Sequence, residues 1–320
     1  MREFAFEVSL CARLEADREA VVARQLGGGV RANRRVLDTV LVEPGPEFGE
    51  RAAITAGTIP PAAIESDAGP GRFRPVAEAI DAPPGRARRI AERAAEAGFF
   101  ELDRRSGRLY VRQVARYPDW FEEVVGVENK PDLGEPGDLA TQLRKDVSLG
   151  LVDRAVLATE SHVTGAHRNR IPDPVGIWRF DGEQVEVVRE PTPLDTGGPG
   201  VEIVERHPGR AVVRIPTGEE KARARRRLAE RAYGKGWRPD EVPACAHARN
   251  AERNGATGIT GCEWKGRVVD PGEECGPACP GYEPASPPEA DPDADRERRT
   301  PWVADPEGRK RRQAGLDRFG

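Results

Sequence analysis

Apolar residues in the first stretch of the chain recur at helical spacing. Phe4, Val8, Cys11, Leu14 and Val22 predict one helix over residues 3–24. Gly27-Gly28-Gly29 breaks it, and the β-branched, apolar run from Arg34 to Val42 predicts a strand ending at Pro44. Residues 45–72 lose this periodicity and are rich in Gly, Pro and Ala, which predicts a linker with short helical pieces. Two helices are then expected, near 75–81 and over 86–97, followed by a hairpin whose apolar arms flank Ser106-Gly107. A further apolar strand ends in Glu128-Asn129-Lys130. After it come a helix with Leu139, Leu143 and Val147 on one face, a strand over 155–159, and a hairpin of 175–180 with 184–189 around Asp181-Gly182. Residues 219–233 read as a basic helix, and 284–320, rich in Pro, Asp and Arg with few apolar residues, as a disordered tail.

Composition sharpens this picture at three points. A chain of 320 residues implies one large domain with insertions or two to three smaller ones. No apolar run approaches the roughly 18 residues of a membrane span, and the first residues lack the order of a secretion signal; the expectation is a cytoplasmic protein with no membrane partner. The formal charge of -4 argues against a generally basic coat, yet two stretches are locally basic: nine arginines against four acids over 85–116, and eleven Lys or Arg against five acids over 205–240. Such stripes on an acidic chain suggest local contact with a polyanion, although solvated helix faces have the same composition.

The candidate chemistry centres on Glu128-Asn129-Lys130. Alternate strand residues share a face, so Glu128 and Lys130 point one way and Asn129 the other. Lysine is scarce here, six residues among 50 basic ones, so a lysine on an apolar strand beside a glutamate stands out. Asp38 interrupts another strand, where aspartate is disfavoured. Glu7 shares the apolar face of the first helix, where a carboxylate is costly unless paired or metal-bound. Gln142 lies beside Leu139 and Leu143 on the helix after the Glu-x-Lys strand.

In that order these residues resemble the PD-(D/E)XK nuclease superfamily: Holliday-junction resolvases for the glutamate on the first helix, RecB-type exonucleases for the glutamine. The likeness covers residues 3–45 and 124–160, and the whole chain also resembles an uncharacterised family of haloarchaeal proteins. The resemblance implies an α/β restriction-endonuclease-like core, a mixed central sheet flanked by helices, formed by 1–45 plus 116–200. It implies a Mg²⁺- or Mn²⁺-dependent DNA nuclease of repair, recombination or defence, with a catalytically inactive nucleic-acid-binding protein of the same fold as the alternative. Carried over, Asp38 and Glu128 become metal ligands with the Asn129 carbonyl, Lys130 handles the attacking water, Glu7 supports the metal and Gln142 orients the site. Two points depart from the pattern. Asp146 stands where RecB-type enzymes have a tyrosine, and Pro118-Asp119 competes with Asp38 as the acidic ligand.

The helix, helix, hairpin order within 46–115 resembles a winged-helix module. That resemblance implies DNA contact by Arg86, Arg88, Arg89 and Arg93 on the second helix and by Arg104, Arg105 and Arg108 at the wing tip. The segment 201–283 combines the basic helix with Cys245, Cys262, Cys275 and Cys279, spaced C-x16-C-x12-C-x3-C. In a cytoplasmic chain that clustering favours a structural zinc knuckle, with His247 as a substitute ligand. The rival is a [4Fe-4S] cluster on Cys11, Cys262, Cys275 and Cys279, an arrangement found in some RecB-type enzymes. DNA is the expected partner, and a homodimer is left open.

Overall fold

A six-stranded mixed sheet organises the chain, in a computed structural model that describes residues 2–30, 35–54, 57–134, 137–239 and 242–302. Helix α1 (Glu3–Asp17) is shorter than its periodicity predicts. The backbone turns extended at Arg18, and the β-branched pair Val21-Val22 opens strand β1 (Val21–Gly27) instead of a last helical turn. Strand β2 (Val36–Pro44) pairs antiparallel with β1, and Arg34 of the expected strand lies outside the described residues.

The following segment holds α2 (Phe48–Ala52), α3 (Pro61–Ile64), β3 (Arg74–Pro75), α4 (Val76–Ala79), α5 (Pro84–Glu96), β4 (Phe100–Arg105) and β5 (Arg108–Gln113). The three strands form a small sheet in the order β3-β5-β4. On α5 the small residues Ala87, Ala91 and Ala94 recur at helical spacing and are buried, which turns the arginines between them outward.

Strand β6 (Phe121–Asn129) returns to the main sheet and runs antiparallel to β2. Helix α6 (Leu139–Leu149) crosses over to β7 (Arg154–Thr159), which lies parallel to β6. The crossover ends at Gly150, whose φ of 57° closes the helix in a left-handed conformation that costs glycine little. After α7 (Gly165–Arg168), β8 (Gly176–Phe180) adds parallel to β7, and β9 (Val185–Arg189) pairs antiparallel with β8, completing the order β1-β2-β6-β7-β8-β9. The hairpin β10 (Glu202–His207) and β11 (Arg210–Arg214) stands apart as a two-stranded sheet.

Helix α8 (Gly218–Lys235) starts at a reciprocal cap between Thr217 and Glu220. Three of its cations are paired within the molecule. Arg225 pairs with Asp153 at 2.8 Å, Arg227 with Asp67 at 2.6 Å and Arg231 with Glu65 at 3.1 Å. The one acid on its buried face, Glu230, accepts from Arg51, from the Tyr117 hydroxyl at 2.8 Å and from the Trp120 indole at 2.7 Å. The basic helix is therefore an internal strut that ties both junctions of the 46–115 segment to the sheet.

A last sheet, β12 (Ala248–Arg253), β13 (Ala256–Cys262) and β14 (Arg267–Val268), is followed by α9 (Pro271–Glu274). The segment beyond Pro284 was expected to be disordered, yet it folds into α10 (Pro292–Arg299). The charged residues that mark it as solvent-loving are partnered. Asp295 is 2% exposed and bonds Arg238, whose other contacts are the two oxygens of Glu15 at 2.9 and 2.7 Å. Arg296 caps the α8 carbonyls of Ala232 and Tyr233. Residues 303–320 of that expectation lie outside the described residues.

Two apolar clusters sandwich the main sheet. Phe6, Leu10 and Leu14 of α1 cover Val125, Val127, Val156 and Trp178, with Ile259 and Trp237 from the C-terminal part joining them. On the other face Leu143 of α6 and Leu228 and Tyr233 of α8 cover Val40, Val42, Val124 and Leu157.

Candidate functional site

The antiparallel pairing of β2 with β6 brings the head of one strand beside the tail of the other. Thr39 pairs with Val127, so Asp38 and Glu128 meet one step further along, at the end of the sheet where the chain enters α6. Asp38 Oδ2 accepts the Asn129 main-chain N–H at 2.8 Å. Asn129 turns to the other face, where its Nδ2 donates to Thr39 Oγ1 at 2.9 Å and its Oδ1 is buried without a partner among the described residues. The Lys130 amide donates to Ala158 O at 2.9 Å, which continues the ladder past the strand end, and its ammonium has no ion pair among the described residues.

Two residues absent from the expected constellation hold this centre. Arg35 donates from Nη2 to Glu128 Oε2 at 2.6 Å, and it grips Asp146 with Nε and Nη2 at 2.9 and 2.8 Å. Asp146 is thus the buried anchor of an arginine, in the position where the resembled exonucleases have tyrosine. The signal for it lies in the sequence: a carboxylate one helical turn after Gln142, on the face turned to the sheet, needs a cationic partner. Gln142 is half-buried, and its side chain makes no hydrogen bond among the described residues.

Glu7 is buried on α1, and its charge acts on Asp38, but both its oxygens are committed, to Arg24 Nη1 and Gln25 Nε2 at 2.9 Å each. Gln25 adopts a left-handed φ of 52° within β1, between the Arg24–Thr39 and Leu26–Leu37 pairs and so opposite Asp38. That backbone region is sparsely populated for a residue with a side chain and tends to be retained near sites. Asp119 precedes β6 at its far end, a strand length of roughly 25 Å from Glu128, with its amide donated to Glu47 Oε2 at 2.6 Å. It does not reach the Glu128 end of the sheet.

Electrostatically the centre carries more negative charge than its cations offset. Burial raises the Asp38 carboxyl to about 6, with the Glu7 charge adding to the effect and the Asn129 amide opposing it. Burial and then the Asp38 charge raise Glu128 to about 7, so desolvation outweighs the ion pair to Arg35. Burial also raises Asp146 against the pull of Arg35. Asp38 Oδ1 and Glu128 Oε1 accept no hydrogen bond among the described residues.

The seven arginines expected to contact DNA are all exposed, on α5 and on the tip between β4 and β5. Arg88 pairs with Glu92 and Arg105 with Asp103, whereas Arg86, Arg89, Arg104 and Arg108 have no side-chain partner among the described residues.

All five cysteines are free thiols. Cys11 is fully buried in the α1 face of the sheet, 3.5 Å from Thr39 Oγ1, and burial raises its thiol pKa. It takes no part in the pocket that Cys245, Cys262, Cys275 and Cys279 line together, so the four-residue set with Cys11 is not assembled. His247 pairs with Glu283 at 3.5 Å. Among the described residues no group of three or more His, Cys, Asp or Glu side chains is arranged to hold a metal ion as it stands, and no helix is long and apolar enough to cross a membrane.

The profile of a family of unknown function, DUF5787, matches residues 21–284. No curated protein and no solved structure matches the chain.

Proposed function

We propose that this chain, which belongs to the DUF5787 family of unknown function, is a metal-dependent DNA nuclease that hydrolyses phosphodiester bonds. One observation carries the reading: Asp38 and the Glu128-Asn129-Lys130 run meet at one end of two antiparallel strands, with Asp38 bonded to the Asn129 amide. The order α1-β1-β2-β6-α6-β7 supports it too, because a three-stranded meander with a helical crossover to a parallel strand is the frame of the PD-(D/E)XK core.

The donor set fits a hard divalent cation such as Mg²⁺ or Mn²⁺. Asp38 Oδ1, Glu128 Oε1 and the Asn129 carbonyl are all oxygen donors, and two buried carboxylates, of which Asp38 raises the pKa of Glu128, favour a cation between them. Bound there, the cation would offset the charge that builds on the phosphate during hydrolysis. Lys130, unpaired among the described residues and two residues along, orients the attacking water or takes up its proton. Arg35, held rigid by Asp146, keeps a fixed positive charge beside Glu128.

The segment 46–115 fits a DNA-guiding role as a winged-helix-like unit. Its order α3-β3-α4-α5-β4-β5 and its strand order β3-β5-β4 suit that topology, with α5 as the groove-facing helix. Arg86, Arg89, Arg104 and Arg108, without side-chain partners among the described residues, provide the phosphate contacts.

A second reading, a nucleic-acid-binding protein without catalysis, is favoured by Arg35 occupying Glu128 Oε2 and by the full commitment of Glu7. Incubation with linear, single-stranded and branched DNA in Mg²⁺ or Mn²⁺ separates the two. Cleavage lost in both Asp38→Ala and Lys130→Ala supports the nuclease. Binding without cleavage supports the second reading, and cleavage that survives both substitutions refutes the assigned site.

A further inference from the structure

The thiol-lined pocket in the C-terminal part carries an inference independent of the nuclease reading. Cys245 lies in the isolated bridge with Pro284 that precedes β12, Cys262 ends β13, Cys275 follows α9, and Cys279 sits in the next turn. They come from four separate points in the chain, and the fold turns all four to one pocket. Exposed or apolar roles explain this poorly: each is half-buried, and the remaining wall includes Lys265, Glu274 and the small residues Ala248, Gly261 and Gly281.

An amide donor and two cations lie beside the sulfurs. The Lys265 main-chain N–H points to Cys262 Sγ at 3.4 Å, the amide-to-sulfur contact that favours a charged sulfur. The Lys265 ammonium, 3.1 Å from Glu274 Oε2, and the Arg267 guanidinium, on the same carboxylate, add cationic charge beside the pocket. Pro277 and Pro280 fix the turn that carries Cys279, and Gly281 after it packs against the Trp264 ring where a side chain would clash.

We propose that Cys245, Cys262, Cys275 and Cys279 bind one structural Zn²⁺ in a tetrahedral all-sulfur site. Four thiols give up four protons as four Zn–S bonds form, leaving a complex of net charge 2−, which Lys265 and Arg267, less the charge of the Glu274 carboxylate they share, offset in part from outside the ligand shell. The sulfurs face a common space without yet enclosing an ion. Binding therefore draws them inward by side-chain rotation, and it fastens the β12–β14 sheet to the bridge between Cys245 and Pro284. That sheet packs on α1, so the staple also supports the helix that covers the opposite face of the main sheet.

The test uses the full chain, purified under reducing conditions without added metal. Elemental analysis should return about one zinc per chain in a colourless protein, and Cys262→Ser and Cys275→Ser should lose it while Cys11→Ala keeps it. Should those variants fail to fold, wild-type protein decides the matter by two other readouts. Native alkylation should label the four thiols only after a strong zinc chelator is added, and exchange with Co²⁺ alone should give the intense visible bands of tetrahedral cobalt thiolate. Four thiols that alkylate freely without chelator, two disulfides by mass, or iron with acid-labile sulfide would each overturn the proposal.

Discussion

Replacing Glu128 with glutamine tests the buried carboxylate pair directly. Glu128 is 7% exposed, and burial together with the Asp38 charge lifts its pKa to about 7 from an ordinary 4.5. An acid whose pKa is raised by folding holds its proton more tightly in the native state. Its favourable contribution is complete below about pH 4.5 and is lost as the pH rises through about 7. At about 1.36 kcal/mol per pH unit, ionising Glu128 in place costs about 3 kcal/mol by neutral pH. Glutamine keeps the shape, cannot ionise, and leaves Arg35 bound to Asp146 through two nitrogens. Relative to Glu128→Gln, the wild-type protein should therefore lose about 3 kcal/mol of stability between pH 4.5 and about 8. Urea unfolding followed by the fluorescence of Trp120 and Trp237, both buried, measures this difference in small pH steps. A difference that stays flat across the range would refute the reasoning, since Glu128 would then ionise as easily folded as unfolded.

Arg35→Met strips Glu128 and Asp146 of their shared partner and should cost about 3–5 kcal/mol at alkaline pH, with part of the loss recovered in acid as both carboxylates take up protons; denaturant titrations at the two pH extremes check it. Glu230→Ala leaves Arg51 buried without its carboxylate and should lower the unfolding free energy by a similar about 3–5 kcal/mol in urea. A chain ending after Ala290 removes Asp295 and the carbonyl cap from Arg296, and calorimetry should show a lower melting temperature than the full chain. Arg86→Ala combined with Arg89→Ala should weaken binding to DNA of any sequence and flatten the salt dependence of log K by about 0.9 for each phosphate that is no longer neutralised; an unchanged slope would remove α5 from the interface.

What the sequence made legible is the part governed by local pattern. Strand β2 with Asp38, strand β6 ending at Asn129, helix α6 with Gln142, strand β7, and the helix-and-hairpin pattern of the 46–115 segment all follow from period and turn chemistry, and each forms close to where it is expected. The failures among charged residues share one cause. Arginines 225, 227, 231 and 238 fall in a stretch that suggests polyanion contact or a solvated face, and Arg296 in an expected disordered tail, because a run of charge has no period that marks a partner, yet each is matched to a carboxylate or a carbonyl, most of them far away in sequence. The same blindness hid Arg35, whose partners lie 93 and 111 residues away. Its position was still inferable in one respect. Once α6 is set against the sheet by Leu139 and Leu143, Asp146 falls on the buried face and cannot remain an unpaired charge. A lone buried carboxylate is an incomplete statement, and the search for its cation leads to the arginine that now sits on Glu128. That step also changes what the Glu-x-Lys run means in this chain: Glu128 serves Arg35 first, and any cation at the site must share it.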